Sequence, residues 1–474
     1  MQKLNEICSC ESKANSETEF VGIRCEKSKE DGTLETSIIF PLGYFKDDST
    51  LRELPEEELR ECIVNLFTVL SDPSLQELIH QDSSISTFAE EHGESEFPMV
   101  SYLNVIRNFL DFGYLDEKEI LYKKGANGKI NWGRTIKAVQ PVITEDAQNL
   151  VYLDFIARKV SYNEDTLITQ VHKFCVHDAL VKLGFLFGID PSEEPLLDFD
   201  YDLFCNAIHS KLAKTFNDRD LRLLADLARI VEYLAGHKTE DGKTADDFYF
   251  GVNTFAPVWE AMVDKIFGKL PQGVAKDKFN PHCEWDLSSG ARGYENPNYA
   301  MRPDTIMWDK EGNRLYVLDA KYYKFGVTGS AADLPSSGSI CKQIAYAEYV
   351  ETHWKTILGV DSIATPSASL QNDTQPKPIY NAFLLPYCFD ADNSQLPPDD
   401  GFETRPCKMR FIGHCHGNWK NLDARPGEVD YRPYHRIAGI LLDVRSVMEN
   451  YGALGEAQKT LATCILRENS NLSE

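Results

Sequence analysis

Apolar residues recur at helical spacing through most of the first half of the chain. Intervals of three and four residues predict helices at 54–70, 102–112, 150–190 and 219–236. Pro55 and the glutamates after it suit the first turn of one helix, and Gly113 and Gly236 end two others. Apart from a short strand at 37–42, the pattern therefore predicts a largely helical N-terminal half.

The second half shows apolar runs of strand length between helical segments. The runs 305–308 and 315–318 flank the turn cluster 309–313 and predict a β-hairpin. The other predicted elements are helices at 253–267, 341–349 and 441–454, strands at 380–386 and 409–413, and a mobile Gly- and Ser-rich loop at 326–339. Together the two halves indicate a mixed α/β (α+β) fold.

Length and local composition indicate how the chain is divided. A chain of 474 residues is long enough for two or three domains. We predict an N-terminal α+β domain for partner or DNA recognition over residues 1–120, a mostly helical middle region over 121–246 and a third domain over 247–474. The polar run 237–247 is the predicted linker, and residues 1–35 are predicted to begin as a mobile arm that includes Cys8 and Cys10.

The composition is that of a globular protein without a membrane segment. No run of 18 apolar residues occurs, and the N-terminal residues lack the apolar core of a secretory signal. The 12 cysteines include no CxxC pair, which fits a reducing compartment and not a disulfide framework. We therefore expect a cytoplasmic protein with no membrane partner.

The net charge of −25 limits what the chain can bind by itself. Residues 1–250 contain 26 Lys and Arg against 46 Asp and Glu, whereas residues 251–474 contain 23 against 28. Proteins bind DNA largely through Lys and Arg contacts to phosphate. The sequence therefore indicates no strong autonomous DNA-binding surface, and it points to a partner that supplies one.

The block 123–136 is basic within the acidic half. It contains three lysines and Arg134 among glycines, at a spacing that differs from a nucleotide-binding P-loop. Two interpretations stay open. The block is either a turn that leads into a strand or helix with Trp132 in the core, or a contact surface for nucleic acid or a partner.

Ionisable side chains lie at both ends of the predicted hairpin. Asp304 precedes its first strand, and Asp319 and Lys321 follow the second at what we expect to be an exposed strand end. Residues two apart in a strand share a face, and the hairpin can bring Asp304 alongside them. Two carboxylates can hold Mg²⁺, or Mn²⁺ in its place, and the lysine can orient or activate water or neutralise charge on a phosphate. The pattern predicts metal-assisted hydrolysis.

This arrangement resembles the PD-(D/E)xK nuclease superfamily, through Pro303-Asp304 and the Asp319-x-Lys321 motif that follows a hydrophobic strand. The resemblance implies a restriction-endonuclease-like core in the C-terminal half. It also implies that a glutamate completes the metal site; Glu260 on the preceding helix is the first candidate and Glu284 the alternative.

The same resemblance implies roles for a helix after the lysine. Many of these nucleases carry a Gln and a Tyr there that contact backbone or orient the site, and Gln343 and Tyr346 match them one helical turn apart. The resemblance therefore adds both residues to the predicted catalytic site.

A narrower resemblance is to the LlaJI-type restriction endonucleases and the McrC nuclease subunit of McrBC-type systems. It rests on the block 128–136, the hairpin 302–321 and the segment 343–346. It implies a Mg²⁺-dependent endonuclease of an anti-phage restriction system that cuts double-stranded DNA. It further implies an AAA+ GTPase or ATPase partner, which must be a separate protein because this sequence has no Walker A motif.

Other interpretations stay open beside this one. The chain could be a stand-alone type II endonuclease that reads its own DNA site, including as a homodimer. It could also be a catalytically silent scaffold or DNA-binding subunit, although a silent copy could lose any of Asp304, Asp319 and Lys321, and all three are present.

Overall fold

The computed structural model describes residues 8–12, 20–27, 34–72, 75, 97–115, 117–125, 128–143, 150–163, 166–191, 194–236, 247–285, 287–288, 294–295, 301–357, 378–389, 407–425, 428, 430–450 and 455–471. Apart from Asp247, the predicted linker 237–247 lies outside these residues. The chain divides into two compact units, one over residues 94–248 and one that combines residues 2–93 with 249–474. The predicted three-domain division, which also assigns roles, stays a prediction.

The strands are β1 (Cys8–Ser12), β2 (Val21–Lys27), β3 (Leu34–Phe40), β4 (Glu117–Lys124), β5 (Lys129–Ile130), β6 (Val142–Ile143), β7 (Leu150–Val151), β8 (Ile156–Asn163), β9 (Phe248–Val252), β10 (Glu284–Trp285), β11 (Tyr294–Glu295), β12 (Thr305–Asp309), β13 (Arg314–Ala320), β14 (Ile379–Tyr387), β15 (Met409–Cys415) and β16 (Ile437–Asp443). Mixed helices and sheets confirm the predicted α+β class.

The α-helices are α1 (Asp48–Glu53), α2 (Glu56–Leu70), α3 (Met99–Phe112), α4 (Trp132–Ala138), α5 (Leu167–Phe187), α6 (Tyr201–Leu212), α7 (Asp218–Gly236), α8 (Ala256–Phe267), α9 (Phe325–Thr328), α10 (Ser337–Ile357), α11 (Val444–Asn450) and α12 (Glu456–Asn471). Short 3₁₀ helices cover Lys276–Phe279, Ala331–Asp333 and Pro433–His435. Among the described residues no helix is both long and apolar enough to span a membrane.

The unit over residues 94–248 combines helices with a small sheet. Helices α3, α5 and α7, which the helical periodicity predicted, pack together with α6, which was not predicted. The prediction of a helix at 150–163 is wrong, because β8 pairs antiparallel with β4 and β5 there. The apolar spacing over those residues was too short to separate helix from strand, and sheet pairing decided between them.

The basic block in that unit has an open surface. Trp132 is 53% exposed, so its predicted place in the core is wrong. Its ring meets only the edges of neighbouring aromatic rings, with centroids 6.3 Å from Tyr152 and 5.7 Å from Phe155. The same part of the chain carries six further exposed aliphatic side chains, namely Ile136, Val142, Ile143, Leu150, Val151 and Leu153, four of them on the paired strands β6 and β7. The block does lead into a strand and a helix, β5 and α4, so the turn interpretation holds apart from Trp132, and the contact-surface interpretation stays a prediction.

A five-stranded sheet forms the centre of the other unit. Its order is β12-β13-β14-β16-β15; the three inner strands run parallel, and each edge strand is antiparallel to its neighbour. Every residue of β14 is buried, as expected for a parallel strand covered on both faces. The side chains of β12 and β13 pack against α10 through Ile306, Leu315, Val317, Ala347 and Val350.

The predicted hairpin is confirmed as β12 and β13. Its register pairs Thr305 with Leu318 and Asp309 with Arg314. In the turn, Asn313 has a φ of 48°, a left-handed conformation that asparagine tolerates. The Gly312 N–H donates to the Asp309 carboxylate at 3.0 Å and closes the turn. The register thereby places Asp304 beside the end of β13.

Segments from the start of the chain join this unit. Strands β1, β3 and β2 form a sheet with β9, so residues 8–12 of the predicted mobile arm are a strand. The Leu42 N–H, just past β3, donates to the Tyr322 hydroxyl at 2.6 Å. Tyr322 directly follows Lys321, so the N-terminal sheet is tied to the end of the hairpin.

Three predicted elements after the hairpin differ from the structure. The predicted loop at 326–339 contains α9, a 3₁₀ turn and the start of α10. The predicted helix at 441–454 begins in β16, because a run as apolar as Ile437–Asp443 fits a buried inner strand equally well. Helix α12 was missed; its few buried residues are Ala457, Leu461, Cys464, Ile465 and Asn469.

We expect Gly326→Ala to destabilise the fold by about 1–3 kcal/mol, the usual cost of overpacking. A Cβ at Gly326 would lie 2.3 Å from the Pro386 carbonyl oxygen in β14, and neither backbone can move freely. Gly338→Ala is the matched control, because its Cβ would meet nothing closer than 3.7 Å and it lies in the first turn of α10. Urea unfolding measures both; equal stabilities would contradict the close approach.

Candidate active site

The hairpin brings Asp304, Asp319 and Lys321 together, as predicted from their positions. The Lys321 Nζ lies 2.7 Å from the Asp319 Oδ1. The Asp304 Oδ2 accepts the Ala320 N–H at 3.0 Å, which fixes this carboxyl against the last residue of β13. Two acids and a lysine thus meet at the carboxyl end of one strand.

The expectation that Asp319 lies at an exposed strand end is wrong. Asp319 belongs to β13 and is only 4% exposed. Asp304 is half-buried beside it. A buried carboxylate is expensive unless it is paired. Changing Asp319 therefore affects stability as well as chemistry.

The two carboxyls hold a proton between them. Burial, a hydrogen bond to Asp319 and repulsion from Asp319 and Glu260 raise the pKa of Asp304 far above that of an ordinary carboxyl. The charge of Lys321 acts in the opposite direction but does not restore it. Two carboxyl groups this close cannot both ionise readily, because their negative charges would repel each other. Asp304 therefore keeps its proton at neutral pH.

Lys321 is held in its charged form. Burial lowers the pKa of Lys321, but the charge and hydrogen bond of Asp319, with the charges of Asp304 and Glu260, outweigh burial, so the pKa is raised overall. A lysine with a raised pKa stays protonated at neutral pH. In this arrangement Lys321 can donate hydrogen bonds and stabilise negative charge, and it is a poor base.

The structure separates the two candidate glutamates. Glu260 lies half-buried on α8, and its charge contributes to the pKa shifts of both Asp304 and Lys321. Glu284 is exposed on β10, and it is not among the leading influences on Asp304. Glu260 therefore acts on the acid pair through its charge, and the choice between Glu260 and Glu284 as third ligand stays a prediction.

Gln343 and Tyr346 both contact backbone next to the hairpin. The buried Gln343 Nε2 donates to the Val317 carbonyl at 2.7 Å. The Tyr346 hydroxyl donates to the Arg302 carbonyl at 3.0 Å, two residues before Asp304. Burial and the charges of Asp319 and Asp304 raise the pKa of Tyr346, so the hydroxyl stays a donor.

Two further residues that the sequence did not indicate hold this site. The Lys276 ammonium, on the first 3₁₀ helix, donates to the backbone carbonyl of Asp304 and to the Asp264 Oδ2 at 2.7 Å. Asn381 of β14 donates to the carbonyls of Gln343 and Tyr434 at 3.0 and 2.9 Å. Only the folded chain brings Lys276 to Asp304 and Asn381 to Gln343, so no local spacing could have marked them.

The acids fit a hard divalent cation in chemical type. Mg²⁺ prefers carboxylate oxygens, and a cation would relieve the repulsion that keeps Asp304 protonated. In the part of the chain that the structure describes, no three His, Cys, Asp or Glu side chains are already gathered as a metal cluster. Asp304 and Asp319 are in contact, whereas Glu260 acts on them through its charge. The predicted metal set of Asp304, Asp319 and Glu260 stays a prediction.

Cavities lie elsewhere on the same unit. One groove of about 970 Å³ runs between the hairpin turn and α12, and a smaller cavity of about 240 Å³ lies before β16. Neither is lined by Asp304, Asp319 or Lys321. The acid pair is recognised by its charges and hydrogen bonds.

Comparison with known proteins gives the class as restriction endonuclease. The chain belongs to the LlaJI restriction endonuclease family, whose model matches residues 47–395. This confirms the family predicted from the hairpin, the block 128–136 and the segment 343–346.

Two individual proteins are similar to the chain. The type II restriction enzyme BsuMI component YdjA of Bacillus subtilis (strain 168) is 25% identical over 248 residues, which are 50% of this chain and 51% of the relative. The chain thus spans about half the length of that curated relative. A refined half-complex of Thermococcus gammatolerans McrB AAA+ hexamers with bound McrC matches 95% of this chain and 83% of its own, with 13% identity and a TM-score of 0.34.

We expect Asp304→Asn to stabilise the metal-free protein at alkaline pH relative to the unchanged chain. Because the folded pKa of Asp304 is raised, its contribution to stability is fully present below about pH 4 and is lost as the pH rises through the folded value. Asparagine can still donate to Asp319 and carries no charge, so the stability difference should grow with pH.

Urea unfolding in a chelator at several pH values measures this. Asp277→Asn, an exposed acid on the 3₁₀ helix of Lys276, is the control and should show no such trend. Parallel pH profiles for Asp304→Asn and the unchanged chain would mean that the acid pair does not share a proton.

Proposed function

We propose that this protein is a Mg²⁺-dependent DNA endonuclease of a restriction system, and that its active site is built on the hairpin β12–β13. The observation that carries the proposal is the contact of Asp304, Asp319 and Lys321 at the end of a buried strand. Membership of the LlaJI restriction endonuclease family supports nuclease activity. The substrate proposed is double-stranded DNA.

The sheet supports a PD-(D/E)xK core as the scaffold. An antiparallel hairpin leads into a parallel strand, with α8 before the hairpin and α10 between the hairpin and β14. Asp304 precedes the first hairpin strand and Asp319 ends the second. In this proposal the core lies in the C-terminal half, as the sequence pattern predicts.

The residues of the chain divide the work in the proposed reaction. Asp304 and Asp319, with Glu260 close by, would hold Mg²⁺, or Mn²⁺ in its place. When bound, the ion supplies a Lewis acid for the phosphate and lowers the pKa of a water. Lys321, protonated and fixed by Asp319, orients the water or stabilises charge on the phosphate.

The second layer of the site fixes the position of Asp304. Tyr346 and Lys276 donate to the carbonyls of Arg302 and Asp304, on either side of Pro303. Gln343 binds the carbonyl of Val317, two residues before Asp319. In the proposal, Gln343 and Tyr346 act by holding the two carboxyls in place and not by direct contact with DNA.

We further propose a separate AAA+ GTPase or ATPase subunit as partner. The relative YdjA is named as a component of a restriction enzyme. The exposed apolar surface formed by Ile136, Val142, Ile143, Leu150, Val151 and Leu153 is of the kind that protein partners cover. Residues 1–250 also carry a net charge of −20, which disfavours unaided capture of DNA.

We expect Asp319→Asn and Lys321→Met each to reduce plasmid cleavage by about 100-fold or more, the usual effect of removing a group that stabilises the transition state. The causes differ. Asp319→Asn removes a proposed metal ligand, whereas Lys321→Met should leave the metal bound. Calorimetric titration with Mg²⁺ or Mn²⁺ distinguishes them, and Lys355→Met, exposed on α10, is the control.

If Asp319→Asn cleaved DNA near the original rate, the proposal that the active site lies on the hairpin β12–β13 would be wrong. Equal loss of metal affinity in the two variants would remove the role assigned to Lys321 while leaving the site itself in place.

We expect the purified chain to cut DNA weakly with Mg²⁺ alone, and to cut efficiently once its nucleotide-hydrolysing partner is added. Leu153→Asp should weaken that complex, since Leu153 is 72% exposed within the apolar surface. Leu196→Asp is the matched control, because Leu196 is 81% exposed in the same unit but outside that surface. Pull-down and cleavage assays measure both effects. Efficient cutting at a discrete site by the chain alone would instead support a stand-alone type II enzyme.

A further inference from the structure

A small cavity rich in arginine lies before the inner strand β16. It has a volume of about 240 Å³ and is lined by Arg425, Arg432 and Arg436 together with Tyr431, Asn421 and Asn469. Three guanidinium groups around one small space are unusual in a chain with a net charge of −25. The groups that surround the space are mainly hydrogen-bond donors, so it is chemically suited to an anion.

Two of the arginines are held in place by the fold. Arg432 Nε lies 2.8 Å from the Glu351 carboxylate, which also accepts the Tyr434 hydroxyl at 2.6 Å. Arg436 donates from its Nη2 to the Leu422 carbonyl at 2.9 Å. A donor set fixed by the fold loses little freedom when it binds a ligand.

Of the three arginines, Arg436 is the one whose charge a bound anion would neutralise most directly. It is half-buried, and within the part of the chain that the structure describes it forms no ion pair with an acid. Its charge lowers the pKa of His414 and opposes the rise in the pKa of Tyr431, so it acts on both neighbours. A half-buried charge without a counter-charge costs free energy that a bound anion would offset.

The acids nearby do not fill this role. Asp423 lines the cavity but is exposed to solvent. The Glu428 carboxylate accepts the backbone N–H of Arg425 at 3.0 Å and closes a local turn. Glu351 is already shared between Arg432 and Tyr434. Within the part of the chain that the structure describes, none of these acids pairs with the guanidinium of Arg436.

We propose that this cavity binds a phosphoryl group. Guanidinium groups bind phosphate oxygens through charge-assisted, paired hydrogen bonds, and arginine suits this geometry better than lysine. The volume is below the roughly 300–1,000 Å³ of sites that enclose whole small molecules. The cavity accordingly takes a phosphate of a larger molecule or a free phosphate ion.

The site is distinct from the acid pair. In the sheet, Asp319 is level with Phe383 of β14 and Gly439 of β16, so Arg436 lies three residues earlier and two strands across. Strand rise and strand spacing put the two backbones roughly 14 Å apart. The phosphate could belong to the backbone of DNA bound at the acid pair or to a free nucleotide or phosphate.

The experiment compares the full chain with Arg436→Gln, the milder Arg425→Gln, and Arg467→Gln as a control near Asn469 on the same helix. Thermal unfolding in sodium phosphate against sodium chloride at equal ionic strength reports phosphate binding. All proteins gain some stability from phosphate as a general salt effect, so the difference between variants reports the site. Circular dichroism in chloride verifies that each variant is folded.

The proposal predicts that the extra stabilisation by phosphate is lost in Arg436→Gln, reduced in Arg425→Gln and kept in Arg467→Gln. Phosphate affinity should fall about tenfold or more in Arg436→Gln. Identical phosphate responses in the unchanged chain and all three variants would overturn the proposal, unless the DNA measurement below shows the contact.

Binding of a DNA duplex in a chelator, titrated with salt, distinguishes the sources of the phosphate. If a DNA phosphate occupies the cavity, Arg436→Gln removes one phosphate contact. The slope of the logarithm of DNA affinity against the logarithm of salt concentration then falls in magnitude by about one. If the salt dependence is unchanged and the phosphate response is lost, the cavity serves a free phosphate or nucleotide. No change in either measurement rejects the site. Neither measurement involves cleavage, so failure of the proposed nuclease activity would not be mistaken for failure of this site.

Discussion

The structure around the hairpin depends on holding two carboxyl groups together against their own repulsion. Asp304 and Asp319 come from different segments, and each is fixed by hydrogen bonds that do not require the other. Burial would strengthen the repulsion between two ionised carboxyls, because the surroundings screen charge poorly, and the proton on Asp304 removes that repulsion at neutral pH. A protein keeps such an arrangement only where many other contacts of the fold hold the groups in place. Such arrangements are typical of functional sites.

Side-chain hydrogen bonds to backbone carbonyls hold the site in place. Lys276 and Tyr346 bind carbonyls on both sides of Pro303, from elements on different sides of the segment. Asn381 joins β14 to α10 and to the 3₁₀ helix before β16 through two carbonyls. The Tyr322 hydroxyl brings in the N-terminal sheet through Leu42. Elements that are distant in sequence therefore hold the residues of this site in place together.

The sequence predicted the parts of this site that have a local signature. Strand alternation placed Asp319 and Lys321 on one face, and a turn with Gly312 and Asn313 closed the hairpin. The burial of Asp319 was missed, because a strand-end position does not reveal what packs over it. Lys276 and Asn381 were missed for a related reason, since their partners are backbone carbonyls that only the tertiary fold brings near.

Errors in the fold have the same origin. Residues 150–163 and 441–443 have apolar spacing that suits either a helix or a strand, and pairing with other strands made them β8 and part of β16. Trp132 was expected in the core because large aromatic residues usually are, yet the small sheet around it offers little interior. The local sequence pattern therefore identified the elements with strong periodicity. It failed where pairing with distant strands determined the secondary structure.

The shared proton also sets a condition on how the site can work. If the acid pair holds Mg²⁺ as proposed, it would give up that proton on binding, so its affinity for the ion would rise with pH. The same ion beside Asp319 would weaken the attraction that raises the pKa of Lys321. In the proposed mechanism the two acids would then be ionised, while Lys321, still hydrogen-bonded to Asp319, would stay protonated. The charges that shift the pKa of Asp304 are thus the same ones that hold Lys321 in its charged form.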